Sequence, residues 1–105
     1  MATWPTKKKL AKIRREIDSH RRAIPGTTSR DLRRIAKQLG RVLDAGRGKE
    51  PTYVSTLIDA NPISIPHDAK GDGTKRNILD DLEGDLVRLE VDNERGAAYE
   101  NEDDN

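Results

Sequence analysis

The sequence predicts an α+β domain in the order helix–helix–strand–strand–strand–helix, with helices packed on one face of a small three-stranded antiparallel sheet. Apolar residues recur at helical spacing before Gly40 and again after Gly73, while the stretch between them is β-branched, alternating and punctuated by Gly, Asn and Pro. Size agrees with this: 105 residues with 8 Ile, 9 Leu, 4 Val and no Phe support one small core and leave no room for a second domain.

Thr6 opens the first helix as an N-cap, and Leu10, Ile13, Ile17 and Ile24 keep one stripe of it apolar. Lys7, Lys8, Lys9, Lys12, Arg14, Arg15, Arg21 and Arg22 fill its other faces, and Pro25-Gly26 ends it because proline lacks the amide hydrogen. Thr28-Ser29-Arg30-Asp31 is a capping box for a second helix, with Leu32, Ile35, Ala36 and Leu39 inward and Gly40 as its stop. Strands are expected over 41–44, 52–58 and 63–66, separated by the turn Ala45-Gly46-Arg47-Gly48-Lys49 and by Asp59-Ala60-Asn61-Pro62. Thr74 is expected to cap a last helix whose stripe is Ile78, Leu79, Leu82, Leu86 and Leu89 and whose outer side carries Asp80, Asp81, Glu83 and Asp85. Residues 90–105 hold seven acids, one Arg and almost nothing to bury, and read as a disordered acidic tail. The chain therefore divides into a basic N-terminal helix (1–27), a domain (28–89) and a tail (90–105).

The net charge of +1 conceals a strong asymmetry, because residues 1–49 carry 15 basic and 4 acidic side chains while residues 50–105 carry 5 basic and 15 acidic ones. Such a split points to an acidic partner for the first half, or to the two halves pairing with each other. Cysteine is absent and histidine occurs twice, which excludes disulfides, thiolate chemistry and zinc fingers. No metal site or cofactor is expected. No apolar run reaches the roughly 18 residues of a membrane span, and Lys7-Lys8-Lys9 is not followed by an apolar signal segment, so a cytoplasmic location is expected.

Three segments resemble the HicA family of toxin–antitoxin toxins, small RNA-cleaving proteins with a double-stranded-RNA-binding-domain-like fold. Ser29-Arg30-Asp31-Leu32-Arg33-Arg34-Ile35 with Leu39-Gly40 is similar to the family's opening helix. Ile63-Ser64-Ile65-Pro66-His67 is similar to its third strand, and Gly73-Thr74 followed by Ile78-Leu79 and Leu82 to the start of its final helix. The resemblance covers about residues 28–89. It implies an RNA partner, double-stranded or structured, and an antitoxin protein. Family members carry a Gly-Ser-His step at the start of the second strand, whose histidine is implicated in RNA cleavage; here the stretch is Gly48-Lys49-Glu50, so Glu50 occupies the histidine position.

Metal-free RNA cleavage needs a base for the 2′-hydroxyl proton and an acid for the leaving oxygen. With a hairpin turn centred near Ala60, Thr52 or Tyr53 lies opposite His67, and Glu50 and His67 become the candidate pair, beside Lys49 and Arg47. The alternative is a solvated turn carboxylate and a strand-end histidine. Phosphate contacts are expected from Lys8, Lys12, Arg15, Arg22, Arg33, Arg34, Lys37, Arg47 and Lys49, since Lys and Arg release counterions from a nucleic-acid backbone. Tyr53, Trp4 and His20 read as packing or surface residues, and Asp59, Asp68 and Asp72 lack a cation-loop spacing.

Two other functions compete. The second helix also resembles the first half of a helix-turn-helix DNA binder, although glycines and a β-branched run come after Gly40 where a recognition helix should begin. An interaction module using the acidic helix and tail is the third reading. An internal form of it has the tail lie over the basic helices as a pseudo-substrate.

Overall fold

The computed structural model describes residues 5–44 and 51–103, with side chains as far as Asp92. It shows an α+β fold: α1 (Lys7–Arg22), a single 3₁₀ turn (Ile24–Gly26), α2 (Ser29–Gln38), β1 (Arg41–Leu43), β2 (Thr52–Ser55), β3 (Ile63–Ser64) and α3 (Asp72–Asp103). The sheet is antiparallel in the order β1-β2-β3.

Both helix starts are built as the sequence suggests. The Lys9 amide donates to Thr6 Oγ1 at 3.1 Å. At α2 the box is reciprocal, with the Asp31 amide donating to Thr28 Oγ1 at 3.2 Å and the Thr28 amide to Asp31 Oδ2 at 3.0 Å. Gly40 terminates α2 at φ +88°, the left-handed region that an L side chain adopts only under strain. A Cβ there would also come within 2.5 Å of Leu57 Cδ1. Gly40 leads into β1 and not into a second helix, so the helix-turn-helix geometry is not formed at this point.

One core joins the three helices, the 3₁₀ turn, β2 and β3. Leu10, Ile13 and Ile17 of α1 meet Leu32, Ile35 and Leu39 of α2, Tyr53, Ile63 and Ile65 of the sheet region, and Ile78, Leu79, Leu82, Leu86 and Leu89 of α3. Within the basic N-terminal segment, α1 and the 3₁₀ turn are thus held by Leu10, Ile13, Ile17 and Ile24 and are part of the domain's interior packing.

Several boundaries and one register differ from expectation. The strands stop at Leu43, Ser55 and Ser64. Ser55 Oγ accepts from the amides of Leu57 and Ile58 at 3.2 and 3.1 Å, which turns the chain away before Ile58. The hairpin is consequently centred on residue 58 and not near Ala60, and Thr52 and Tyr53 face Ser64 and Ile63 rather than His67. Helix α3 begins at Asp72, ahead of Thr74, with the Lys75 amide bonded to Gly71 O at 3.1 Å and the Asp72 carboxylate at the positive helix end. It also continues past Leu89 to Asp103, through the segment that composition assigns to a disordered tail. Extending a helix already nucleated by core packing needs only one further hydrogen bond per residue, and no proline intervenes.

Candidate nucleic-acid interface

The basic residues of the first half fall into two groups according to what they face. One group is neutralised by α3. Arg14 Nη2 lies 2.6 Å from Glu90 Oε1, and Arg21 Nη2 lies 2.8 Å from Asp80 Oδ1 and 3.4 Å from Glu83 Oε2. The hydrogen bond to Glu90, and then its charge, raise the Arg14 pKa against the opposing effect of burial, and the hydrogen bond to Asp80 does the same for Arg21.

Arg41 belongs to the same group but sits in the interior. Its side chain is 1% exposed and that of Asp85 4%, with Nε–Oδ2 at 2.5 Å and Nη2–Oδ1 at 2.9 Å. A third donor, Nη1, reaches Tyr53 O at 2.8 Å. Asp85 was expected on the outer side of the last helix and is buried because it lies on the apolar stripe, seven residues after Ile78 and three after Leu82. Arg41 opens β1 directly beneath it.

The second group forms no ion pair with α3 among the described residues. Lys8, Lys12, Arg15 and Arg22 stand at the spacing i, i+4, i+7, i+14 on α1, so they form one line opposite Leu10, Ile13 and Ile17, and all four are exposed. On α2, Arg30, Arg33, Arg34 and Lys37 form the corresponding outward line, opposite Leu32, Ile35 and Ala36. Among the described residues, none of Lys8, Lys12, Arg15, Arg22, Arg30, Arg33 and Lys37 has an ion-pair partner. Arg34 reaches Asp31 only at 3.5 Å. Asp31 is itself committed to the α2 cap: the Thr28 backbone amide and then its hydroxyl lower the carboxyl pKa, with partial burial opposing them.

The α1 terminus adds to this positive face. Its first turn contains Lys7, Lys8 and Lys9 and no acid, the reverse of what a helix N-terminus favours, and the cost is relieved when an anion binds there. Along the α2 line, and closed from α1 by Lys9, lies a groove of about 630 Å³ lined by Lys9, Arg30, Arg33, Arg34, Lys37 and Gln38. Lys9 and Arg30 were missing from the contacts expected from sequence, although Arg30 continues the Arg33–Arg34–Lys37 line at i−3 and i−4.

The structure brings Arg33, Arg34 and Lys37 together and places Lys8, Lys12, Arg15 and Arg22 on one helix line. Arg47, Lys49 and Glu50 lie outside the described residues, as does Trp4. His67 is exposed in a turn whose position is fixed on two sides. The Ile65 amide donates to Pro51 O at 3.0 Å, and the Ala69 amide donates to Ser29 Oγ, at the start of α2, at 2.6 Å. Tyr53 is 4% exposed, leaving no ring face for a base to stack on. His20 is half-buried and joins α1 to the 3₁₀ turn, its Nδ1 lying 2.9 Å from Thr27 Oγ1. No cluster of His, Asp or Glu among the described residues suits a metal ion, and no helix among them is long and apolar enough to cross a membrane.

Comparison with protein-family models, with curated proteins and with solved structures returns no match. Fold and surface together define the class: a small α+β protein with one unneutralised basic face built from two helices.

Proposed function

We propose that the protein binds structured RNA through the phosphate backbone, as a HicA-like RNA-interacting protein. The observation that carries this reading is the partition of cations. Carboxylates of α3 neutralise Arg14, Arg21 and Arg41, whereas seven Lys and Arg on the outward faces of α1 and α2 have no ion-pair partner among the described residues. A face of that kind contacts phosphates without reading bases, which suits recognition by duplex shape. The resemblance of residues 28–89 to HicA toxins favours RNA over DNA. Electrophoretic shifts with duplex RNA and duplex DNA of one sequence, at increasing salt, test the reading: RNA binding that weakens steeply with salt supports it, and absence of binding at low salt ends it.

The same reading makes His67 the residue to test for metal-independent cleavage. Its turn is anchored beside Pro51 and beside the start of α2. Purified protein incubated with RNA and chelator should cleave it in a His67-dependent manner if the family's chemistry persists with Glu50 as base; cleavage unchanged in His67→Ala removes His67 from that role. An antitoxin would then cover this turn and the basic face together.

A protein-interaction reading draws on one observation, the exposed Val87 and Val91 of α3, 46% and 47% accessible beside Leu10 and Ala11 of α1.

A further inference from the structure

The groove between α1 and α2 differs from an ordinary basic surface in three respects. First, the Nη1 atom of Arg33 is shut off from solvent and has no hydrogen-bond partner among the described residues, while the rest of this half-buried side chain lines the groove. A buried guanidinium N–H left without an acceptor is unfavourable and uncommon in native proteins. Second, the like charges of α2 are stacked on one another. Arg30 with Arg33 and Arg34, and Lys37 with the same two arginines, stand three or four residues apart, a spacing at which equal charges destabilise a helix. Lys9 closes the groove from α1 and adds a fifth positive charge.

Third, the nearby carboxylates neutralise only part of the groove's charge, since Asp31 meets Arg34 alone and Glu16 meets the neutral Gln38. Asp31 accepts both the amide and the hydroxyl of Thr28 through Oδ2, at 3.0 Å each, and meets Arg34 only at 3.5 Å. Glu16 accepts from Gln38 Nε2 at 3.5 Å. Two kinds of cost to the folded chain therefore meet at one concavity, an orphaned donor and crowded like charges along α2, with Lys9 added from α1. Such conflicts between local stability and structure concentrate at functional sites.

We propose that this groove is a phosphate-binding pocket, with the Arg33 guanidinium as its central ligand and Arg30, Arg34, Lys37 and Lys9 around it. The ligand class is a phosphoryl group with at least two unesterified or anionic oxygens, matched by the planar fork of arginine. The proposal rests on the basic face being a phosphate-binding surface and gives that surface one defined point of attachment. Lys8, Lys12, Arg15 and Arg22 lie outside the groove lining, whereas Arg33 brings the planar donor fork of its guanidinium to it.

Inorganic phosphate titrated into the full-length chain at constant ionic strength, with chloride as the control, tests the pocket through the arginine side-chain ¹⁵N resonances. A saturable shift at Arg33 is expected with phosphate and not with chloride. Arg33→Gln and, separately, the exposed Arg30→Gln should each weaken it by about tenfold, the loss of one charge-assisted hydrogen-bonded contact. Arg76→Gln, which removes an exposed cation of α3 away from this face, should leave it unchanged. Unsaturable drift, an equal response to chloride, or phosphate binding indifferent to both arginine variants overturns the pocket. Competing duplex RNA then distinguishes the source of the phosphoryl group: displacement of phosphate by 5′-hydroxyl RNA identifies a backbone phosphodiester, and displacement by 5′-phosphorylated RNA alone identifies a terminal phosphate. Saturable phosphate binding that no RNA displaces leaves the pocket standing and overturns the RNA reading of this face. Steeply salt-dependent RNA binding without saturable phosphate binding does the opposite.

Discussion

Replacing Asp85 by Asn should remove a large part of the protein's stability while leaving the shape of the side chain almost unchanged. In the folded protein Arg41 and Asp85 form a two-point contact inside the domain, with side chains 1% and 4% exposed, and the guanidinium reaches Tyr53 O as well. The substituted amide would keep one neutral acceptor opposite a charge that water cannot reach. Breaking a buried pair on one side costs about 3–5 kcal/mol, because the remaining ion stays desolvated. A chain of this length has roughly 5–15 kcal/mol in total, so the single variant should lose about a fifth of it or more. Its melting temperature should fall by on the order of 20 °C. Equilibrium urea unfolding monitored by circular dichroism measures the difference directly. The companion variant, Arg41→Met with Asp85→Leu, should recover most of the loss, since well-packed apolar residues are often neutral or better at such a site. A loss below about 1 kcal/mol in Asp85→Asn, or a double variant no more stable than the single one, would refute the account of the pair as a desolvated charge couple.

The geometry makes three other outcomes testable. In RNA binding, Lys8→Gln and Lys12→Gln should each lower the slope of log affinity against log salt by about 0.9, while Arg14→Gln, whose charge is taken by Glu90, should leave the slope unchanged. Gly40→Ala should destabilise the fold by about 1–2 kcal/mol through the left-handed backbone alone, and by more once Leu57 has to move, as thermal unfolding would show. Asp31 has a lowered pKa in the folded state, so its capping contribution is present above the ordinary aspartate value near 3.9 and is lost as pH falls through the lower folded value. The stability gap between wild type and Asp31→Asn should accordingly be full at neutral pH and close on acidification below the ordinary aspartate range; a gap independent of pH would show that the carboxylate does not act through its charge.

The helical half of the fold was legible because its signals are local. Thr6, the Thr28–Asp31 box and Gly40 mark boundaries through hydrogen bonds within four residues, and the stripes of α1, α2 and α3 repeat often enough to define their buried faces. Strand ends and register were harder to read. Ser55 ends β2 through its own side chain, a choice that strand propensity does not encode, and this moved the hairpin centre from Ala60 to residue 58. Asp85 reads as an outer residue when its charge is given more weight than its position on the apolar stripe. Its partner Arg41 is 44 residues distant, and no local pattern pairs them. Of the candidate contacts, the α2 line was readable from spacing, but the part played by Lys9 in closing the groove depends on how α1 crosses α2.

Residue order and composition alone establish that the protein has a small α+β core, that its cations are concentrated in the first half, and that cysteine and thiolate chemistry are absent. These properties come from composition and short-range periodicity, which act before any distant contact forms. Which cations remain available is settled by tertiary packing. Placing α3 against α1 and β1 brings Glu90, Asp80, Glu83 and Asp85 within reach of Arg14, Arg21 and Arg41, and leaves the lines Lys8–Lys12–Arg15–Arg22 and Arg30–Arg33–Arg34–Lys37 without an ion pair to them. The near-neutral chain therefore folds into a molecule with one neutralised seam and one basic face, because Coulomb pairing requires a separation of a few ångströms that only the fold sets.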